Sequence, residues 1–156
     1  MLAAAPMAAF ATPGYTVLYT FTGAGDGGDP QATLLADSKG NLYGTTYVVG
    51  EFGKGAVFKL TPGVATEVLY SFKGHGRGLK DGANPNGGVI VDSGGNLYGT
   101  TVNGGAFGKG AVFKLAPNGA ETVLRSFSGR DGANPLAGLI ADAEGNLYGA
   151  TTEGGA

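Results

Sequence analysis

One hexapeptide governs what this chain can become. Asn41-Leu42-Tyr43-Gly44-Thr45-Thr46 returns as Asn96-Leu97-Tyr98-Gly99-Thr100-Thr101 and, with one change, as Asn146-Leu147-Tyr148-Gly149-Ala150-Thr151. Its flanks return with it. The copies begin 55 and then 50 positions apart, and the excess lies in one place, an insertion inside residues 73–80. A unit of about 50 residues is the size at which chains build solenoids or propellers, whose units bury their faces only against one another.

Each unit divides into four short apolar runs. The first is Leu34–Asp37, which returns as Val89–Asp92 and Leu139–Asp142, and the second is the hexapeptide. The third, Gly55–Leu60, is identical to Gly110–Leu115. The fourth is Glu67–Phe72, echoed by Thr122–Phe127 and, ahead of the first unit, by Thr16–Phe21. The runs are rich in β-branched and aromatic residues and bounded by Gly, Pro, Asn and Asp, which predicts strands. No useful stretch carries a 3.6-residue apolar period, so no helix is expected.

The connections read as tight turns. Asp37 to Asn41 recurs as Asp92 to Asn96 and Asp142 to Asn146; an Asp side chain can accept from amides two residues on, and Gly or Asn tolerates positive φ. Thr61-Pro62-Gly63 and Ala116-Pro117-Asn118-Gly119 supply the next turn, with Pro presetting φ. Strands joined in series this way form an antiparallel meander.

The expected fold is therefore all-β: tandem four-stranded antiparallel meanders, arranged like the blades of a β-propeller. Ala56, Phe58 and Leu60 on one side of the third run, with Val57 on the other, suit a sheet covered on both faces. A β-helix is the alternative, but four turn-separated runs per unit favour the meander. Residues 15–32 hold a partial blade, 33–87 and 88–137 complete repeats, and 138–156 another partial one, all within an array spanning 12–156. That is not a whole number of blades, whereas a closed ring takes about 4–8. The expectation is an incomplete ring, a piece of a longer array, with self-association of chains as the other way to finish it.

The aligned copies give a consensus of G-N-L-Y-G-T-T, then G-G-A-x-G-x-G-A-V-F-K-L, then S-F-x-G-x-D-G-A-N-P. It closely resembles the Gloeo/Verruco (GloVer) tandem repeat of bacterial extracellular proteins, known also as choice-of-anchor or HAF-type extracellular repeats. The resemblance covers Tyr15 to Ala156, and Asn96–Thr101 and Phe107–Leu115 agree with it letter by letter. It implies a secreted or surface-anchored bacterial protein and brings no catalytic residue to transfer. The first copy departs from the pattern: Tyr47-Val48-Val49-Gly50-Glu51 stands where the consensus has Gly-Gly-Ala, and Asp29 replaces the Asn of Asn-Pro.

Other features narrow the function by exclusion. Residues 1–11, apolar and ending Ala9-Phe10-Ala11, read as the remnant of a signal peptide without its basic start. With 12 acidic against 10 basic residues the formal charge is -2, so no nucleic-acid footprint is expected. No apolar run approaches the roughly 18 residues of a membrane-spanning helix. There is no cysteine and a single histidine, His75, which leaves no thiolate or imidazole cluster for a metal. No cofactor is expected.

The candidate ligand-binding residues are Asp81, Asn84, Asp131 and Asn134, in the loops after the fourth run, with Asp26 and Asp29 as their first-copy equivalents. They could accept glycan hydroxyls; as calcium ligands they are too sparse, since calcium takes about 6–8 oxygens. The plainer reading is that Asp-Gly and Asn-Pro form turns. Tyr70 and Arg125 share one repeat position with Tyr19. A site that accepts both Tyr and Arg is a surface candidate. His75 lies in the Gly-rich insertion and lacks the rigidly held partner that catalysis needs.

Repetition favours binding over chemistry, because multivalent contact uses many near-copies whereas catalysis needs one asymmetric constellation. The expected function is a non-enzymatic extracellular module for surface binding or adhesion, with a polysaccharide as the ligand class. The alternatives are a lyase or hydrolase on a propeller scaffold, its site in blades outside this chain, and a structural spacer.

Overall fold

The computed structural model describes residues 14–76 and 79–155; the signal-remnant reading of residues 1–11 lies outside them. The four runs of the first complete unit become β1 (Leu35–Ala36), β2 (Leu42–Thr46), β3 (Ala56–Thr61) and β4 (Ala65–Ser71), hydrogen-bonded in that order into one antiparallel sheet. The insertion folds into a small hairpin, β5 (His75–Gly76) against β6 (Leu79–Lys80). Next, β7 (Gly82–Ala83) pairs with β10 (Asn103–Gly104). The second sheet is built from β8 (Ile90–Val91), β9 (Leu97–Thr101), β11 (Ala111–Leu115) and β12 (Glu121–Ser126), again in sequence order. A last hairpin follows, β13 (Ile140–Ala141) with β14 (Leu147–Tyr148). No helix occurs among the described residues.

The two sheets share one register. Leu42 faces Leu60 and Gly44 faces Phe58 in the first; Leu97 faces Leu115 and Gly99 faces Phe113 in the second. Both carry a bulge between the third and fourth strands, after Val57 and after Val112. An extra residue there leaves Leu69 and Leu124 outside the pairing and bends the outer strand. Thr16–Phe21 departs from expectation: it forms no ladder with either sheet. It packs as a side-chain layer instead, with Phe21 edge-on to Phe58 at 5.0 Å.

That packing repeats. Phe72, at the end of the fourth run of one unit, meets Phe113 of the next sheet edge-on at 5.0 Å, as Phe21 meets Phe58. Phe72 and Phe113 are completely buried. Around them Val57, Val89, Leu97 and Leu115 close one core, drawn from both sheets. The core is thus the seam between units, as expected of an array.

The glycine of the hexapeptide is a packing requirement. A Cβ on Gly99 would stand 2.7 Å from Cζ of Phe113, and one on Gly44 2.7 Å from Cζ of Phe58. The two rings approach these strands this closely because nothing projects from the glycines.

Candidate functional site

The loop aspartates fold back onto the fourth strand. Asp81, almost fully buried, accepts from the Tyr70 hydroxyl at 2.9 Å and from the Lys73 amide at 2.7 Å. Asp26 accepts from the Tyr19 hydroxyl at 2.7 Å and from the Thr22 amide at 2.8 Å. Asp131 accepts from the amide and hydroxyl of Ser128 and forms an ion pair with Arg125. Tyr70 therefore partners Asp81, and Arg125 partners Asp131. The exchange of Tyr for Arg keeps a donor aimed at the same carboxylate.

Electrostatics follow from these contacts. Burial works against the Asp26 charge, yet the Thr22 and Tyr19 donors hold its carboxyl at about 2. Ser128 and Arg125 hold Asp131 well below the usual carboxylate range. Burial and the Asp81 charge push the Tyr70 hydroxyl far above its ordinary value.

Asn84 and Asn134 act as staples between units. Each sits in the left-handed region, at φ 57° and 53°, with Asp29 at 57° in the first copy. Asn and Asp are among the few side chains that tolerate this conformation. From it, the Asn84 amide donates to the Lys54 carbonyl at 2.7 Å and its side-chain amide to the Tyr47 carbonyl at 3.0 Å, both in the connection between β2 and β3. Its own carbonyl accepts from the Val102 amide at 3.1 Å, immediately past β9 of the following sheet. Asn134 repeats the pattern on the Lys109 and Val102 carbonyls. Thr45 and Thr100 add bonds to the carbonyls of Gly87 and Ala137, on the segments that lead into β8 and β13, at 3.0 and 2.8 Å. Among the described residues no group of three acidic or imidazole side chains converges as a metal site.

The first hairpin turns behave as expected. Asp37 Oδ1 accepts from the amides of Lys39 and Asn41, and its Oδ2 from the Asn41 side chain at 2.7 Å and the Tyr43 hydroxyl at 3.1 Å. Asp92 and Asp142 make the same set with Asn96 and Tyr98, and with Asn146 and Tyr148. The Asn side chain leads in holding Asp37 and Asp92 at about 2.

Beside these turns the two complete sheets splay and leave a cleft of about 680 Å³. The first sheet contributes the cross-strand row Leu35, Tyr43, Lys59 and Glu67, with Asp37, Val68 and Leu69 beside it. The other wall is Val91, Leu97, Leu115 and Pro117 of the second sheet. Such a cleft can hold a ligand with one apolar face and one hydroxylated face. The second sheet repeats the polar row as Tyr98, Lys114 and Thr122, with the Lys114 ammonium 5.8 Å above the Tyr98 ring. From the sequence, Tyr43 and Tyr98 could line a sugar-binding surface or pack between blades, and Lys59 reads as a blade-edge side chain; only the register places Tyr43 and Lys59 side by side.

Glu121 was also missed. It opens β12 at the repeat position that Thr66 holds in β4, and it lies close enough to Tyr70 and Asp81 for their charges to act on one another. The alignment alone carries that signal, as a Thr-to-Glu exchange at a seam.

Comparison with curated proteins and with solved structures gives no match. The family model described as Gloeobacter/Verrucomicrobia repeat matches residues 8–156. With nearly the whole chain covered and the repeat register reproduced in three dimensions, the chain belongs to the Gloeobacter/Verrucomicrobia repeat family.

Proposed function

We propose that this chain is a non-enzymatic, extracellular binding module of propeller-like architecture whose ligand is a polysaccharide held between neighbouring sheets. The observation that carries the reading is the cleft, whose lining brings the Tyr43-Lys59-Glu67 row together with Val91, Leu97, Leu115 and Pro117. A sugar ring has an apolar C–H face and an equatorial rim of hydroxyls. The leucine, valine and proline wall suits the first, and the Lys, Glu and Asp side chains suit the second. Two complete meanders in one register, packed through a shared core, support the blade-like arrangement. Repetition of the polar row on the second sheet supports multivalent engagement, in which weak sites add avidity along a polymer. The family's extracellular setting, implied by the sequence resemblance, gives such a module its targets.

The test is affinity electrophoresis through gels containing laminarin, xyloglucan or polygalacturonate in turn. Retardation by one polymer is expected, lost in Lys59→Ala/Glu67→Ala and kept in Arg125→Ala, which lies away from the cleft. Migration unchanged in all three gels, or retardation that survives the double substitution, removes the cleft reading. Depolymerised product in the gel lane supports the enzyme alternative instead.

A further inference from the structure

The strand that carries the hexapeptide has two edges, and in both complete units both are used. β2 pairs with β1 on one side and β3 on the other, and β9 pairs with β8 and β11. In each case the second partner is a third run of identical sequence, Gly-Ala-Val-Phe-Lys-Leu, at residues 55–60 and 110–115. β14 repeats the first pairing: Ile140 stands opposite Tyr148 and Ala141 opposite Leu147, as Ile90 does to Tyr98 and Val91 to Leu97. Its other edge pairs with no strand among the described residues.

The surroundings of that edge are already set. Ala133 bridges Glu153 as Ala83 pairs with Asn103, and the Asn134 carbonyl accepts from the Thr152 amide as Asn84 accepts from Val102. The Phe127 amide donates to the Gly110 carbonyl at 3.0 Å, as the Phe72 amide donates to Gly55 at 3.0 Å. What differs is cover. Gly99 and Thr100 are buried, whereas Gly149 and Ala150 are exposed; Phe72 is completely buried and Phe127 only partly. A Cβ on Gly44 or Gly99 would meet a phenylalanine ring, but one on Gly149 would meet Leu139 Cδ2 at 2.8 Å and no ring among the described residues.

We propose that the outer edge of β14, with Gly149 and Phe127, is a docking site for an extended strand of the Gly-Ala-Val-Phe-Lys-Leu pattern, supplied by a repeat unit other than the two complete ones. The register of β11 on β9 dictates how it enters. It runs antiparallel to β14, with its phenylalanine opposite Gly149, its lysine opposite Tyr148 and its leucine opposite Leu147. Main-chain bonds to the edge supply affinity, and the places for alternate side chains supply selectivity. The phenylalanine lies against Gly149, where a side chain would block it, and meets Phe127 edge-on as Phe113 meets Phe72. The lysine comes over Tyr148, which is 53% exposed, as the Lys114 ammonium stands over Tyr98. The third runs of the two complete units cannot serve in trans, since each is held between two strands of its own sheet. That sets aside a second folded copy as the occupant.

The experiment titrates the full chain with the end-blocked peptide Gly-Ala-Val-Phe-Lys-Leu, followed by calorimetry and amide NMR. Saturable binding of one peptide per chain is expected, with shifts centred on residues 147–151 and Phe127. A peptide with alanine in place of phenylalanine should bind at least about tenfold more weakly. Gly149→Val, whose side chain takes the place of the ring, should lose binding; if that variant does not fold, the two peptides decide alone. No saturable binding up to millimolar peptide, or equal affinity for the alanine peptide, overturns the proposal. So do shifts centred on β4 or β12, the outer edges of the complete sheets. A chain that dimerises with rising concentration and excludes the peptide is equally fatal, since a second copy then covers the edge. The site shares no residue with the polysaccharide cleft, and the test needs no sugar.

Discussion

Replacing Gly99 with alanine tests whether the seam is as tightly built as its burial implies. The new methyl carbon would lie 2.7 Å from Cζ, 2.9 Å from Cε1 of Phe113 and 3.3 Å from Val89 Cγ1. The ring must retreat by roughly 0.7–1 Å to restore ordinary contact. It has little room to do so, because it is completely buried and held edge-on by Phe72, which is also completely buried. Overpacking of this kind costs about 1–3 kcal/mol, and disturbing the aromatic pair adds about 0.5–1.5 kcal/mol. Relief of glycine's conformational freedom returns about 0.5–1 kcal/mol. The net expectation is a destabilisation of about 2 kcal/mol, seen as a urea midpoint lowered by about 1 M at an unchanged slope. Gly44→Ala should cost less, since Leu34, which shares its clash, is 45% exposed and can swing away. A double-mutant cycle with Phe113→Leu supplies the discriminating result. The smaller side chain should recover about 1 kcal/mol in the Gly99→Ala background that it does not recover in wild type. Additivity within about 0.5 kcal/mol, or a Gly99→Ala chain as stable as wild type, would falsify the packing argument.

Two further outcomes follow from the staples and the turns. Asn84→Ala should cost about 2–3 kcal/mol by equilibrium unfolding, from lost side-chain bonds and a left-handed backbone that alanine resists, while Asn84→Gly, which keeps the conformation, should cost about 1 kcal/mol less. Asp92, held at about 2 chiefly by the Asn96 side chain, should titrate there by carboxyl-carbon NMR and return toward the ordinary aspartate range in Asn96→Ala. Because its folded value is depressed, its stabilisation is present above that ordinary range and disappears as pH falls through about 2. An Asp92 titration unmoved by Asn96→Ala would break the link.

What the sequence made legible was local, and what it hid was relational. The runs Asn41–Thr46 and Asn96–Thr101 announce strands because β-branched and aromatic residues sit between turn formers, and β2 and β9 lie within them. The Asp37 and Asp92 turns were readable for the same reason, their partners lying within six residues. Thr16–Phe21 echoes Glu67–Phe72 yet joins no ladder, since pairing needs a neighbouring edge that composition cannot supply. Asn84 and Asn134 looked like turn formers or ligands. Their acceptors are main-chain carbonyls just past the second strand of the sheet, 37 and 32 positions away, and a carbonyl leaves no mark in a sequence. Tyr70 and Arg125 stood out as surface candidates because they differ; the structure relates them through Asp81 and Asp131, which do not.

The staples have a consequence for how such genes can change length. The polar links that fasten each sheet to the segment leading into the next run mainly to backbone carbonyls: Tyr47, Lys54, Gly87, Val102, Lys109 and Ala137. Every residue type supplies a carbonyl, so these polar links place no demand on the side chain that carries the acceptor. A unit duplicated or deleted in register meets the same acceptors it left. Arrays built this way can gain or lose members by recombination without coordinated substitutions at the new junction. Drift inside one copy, such as Tyr47-Val48-Val49 in the first, then stays confined to that copy.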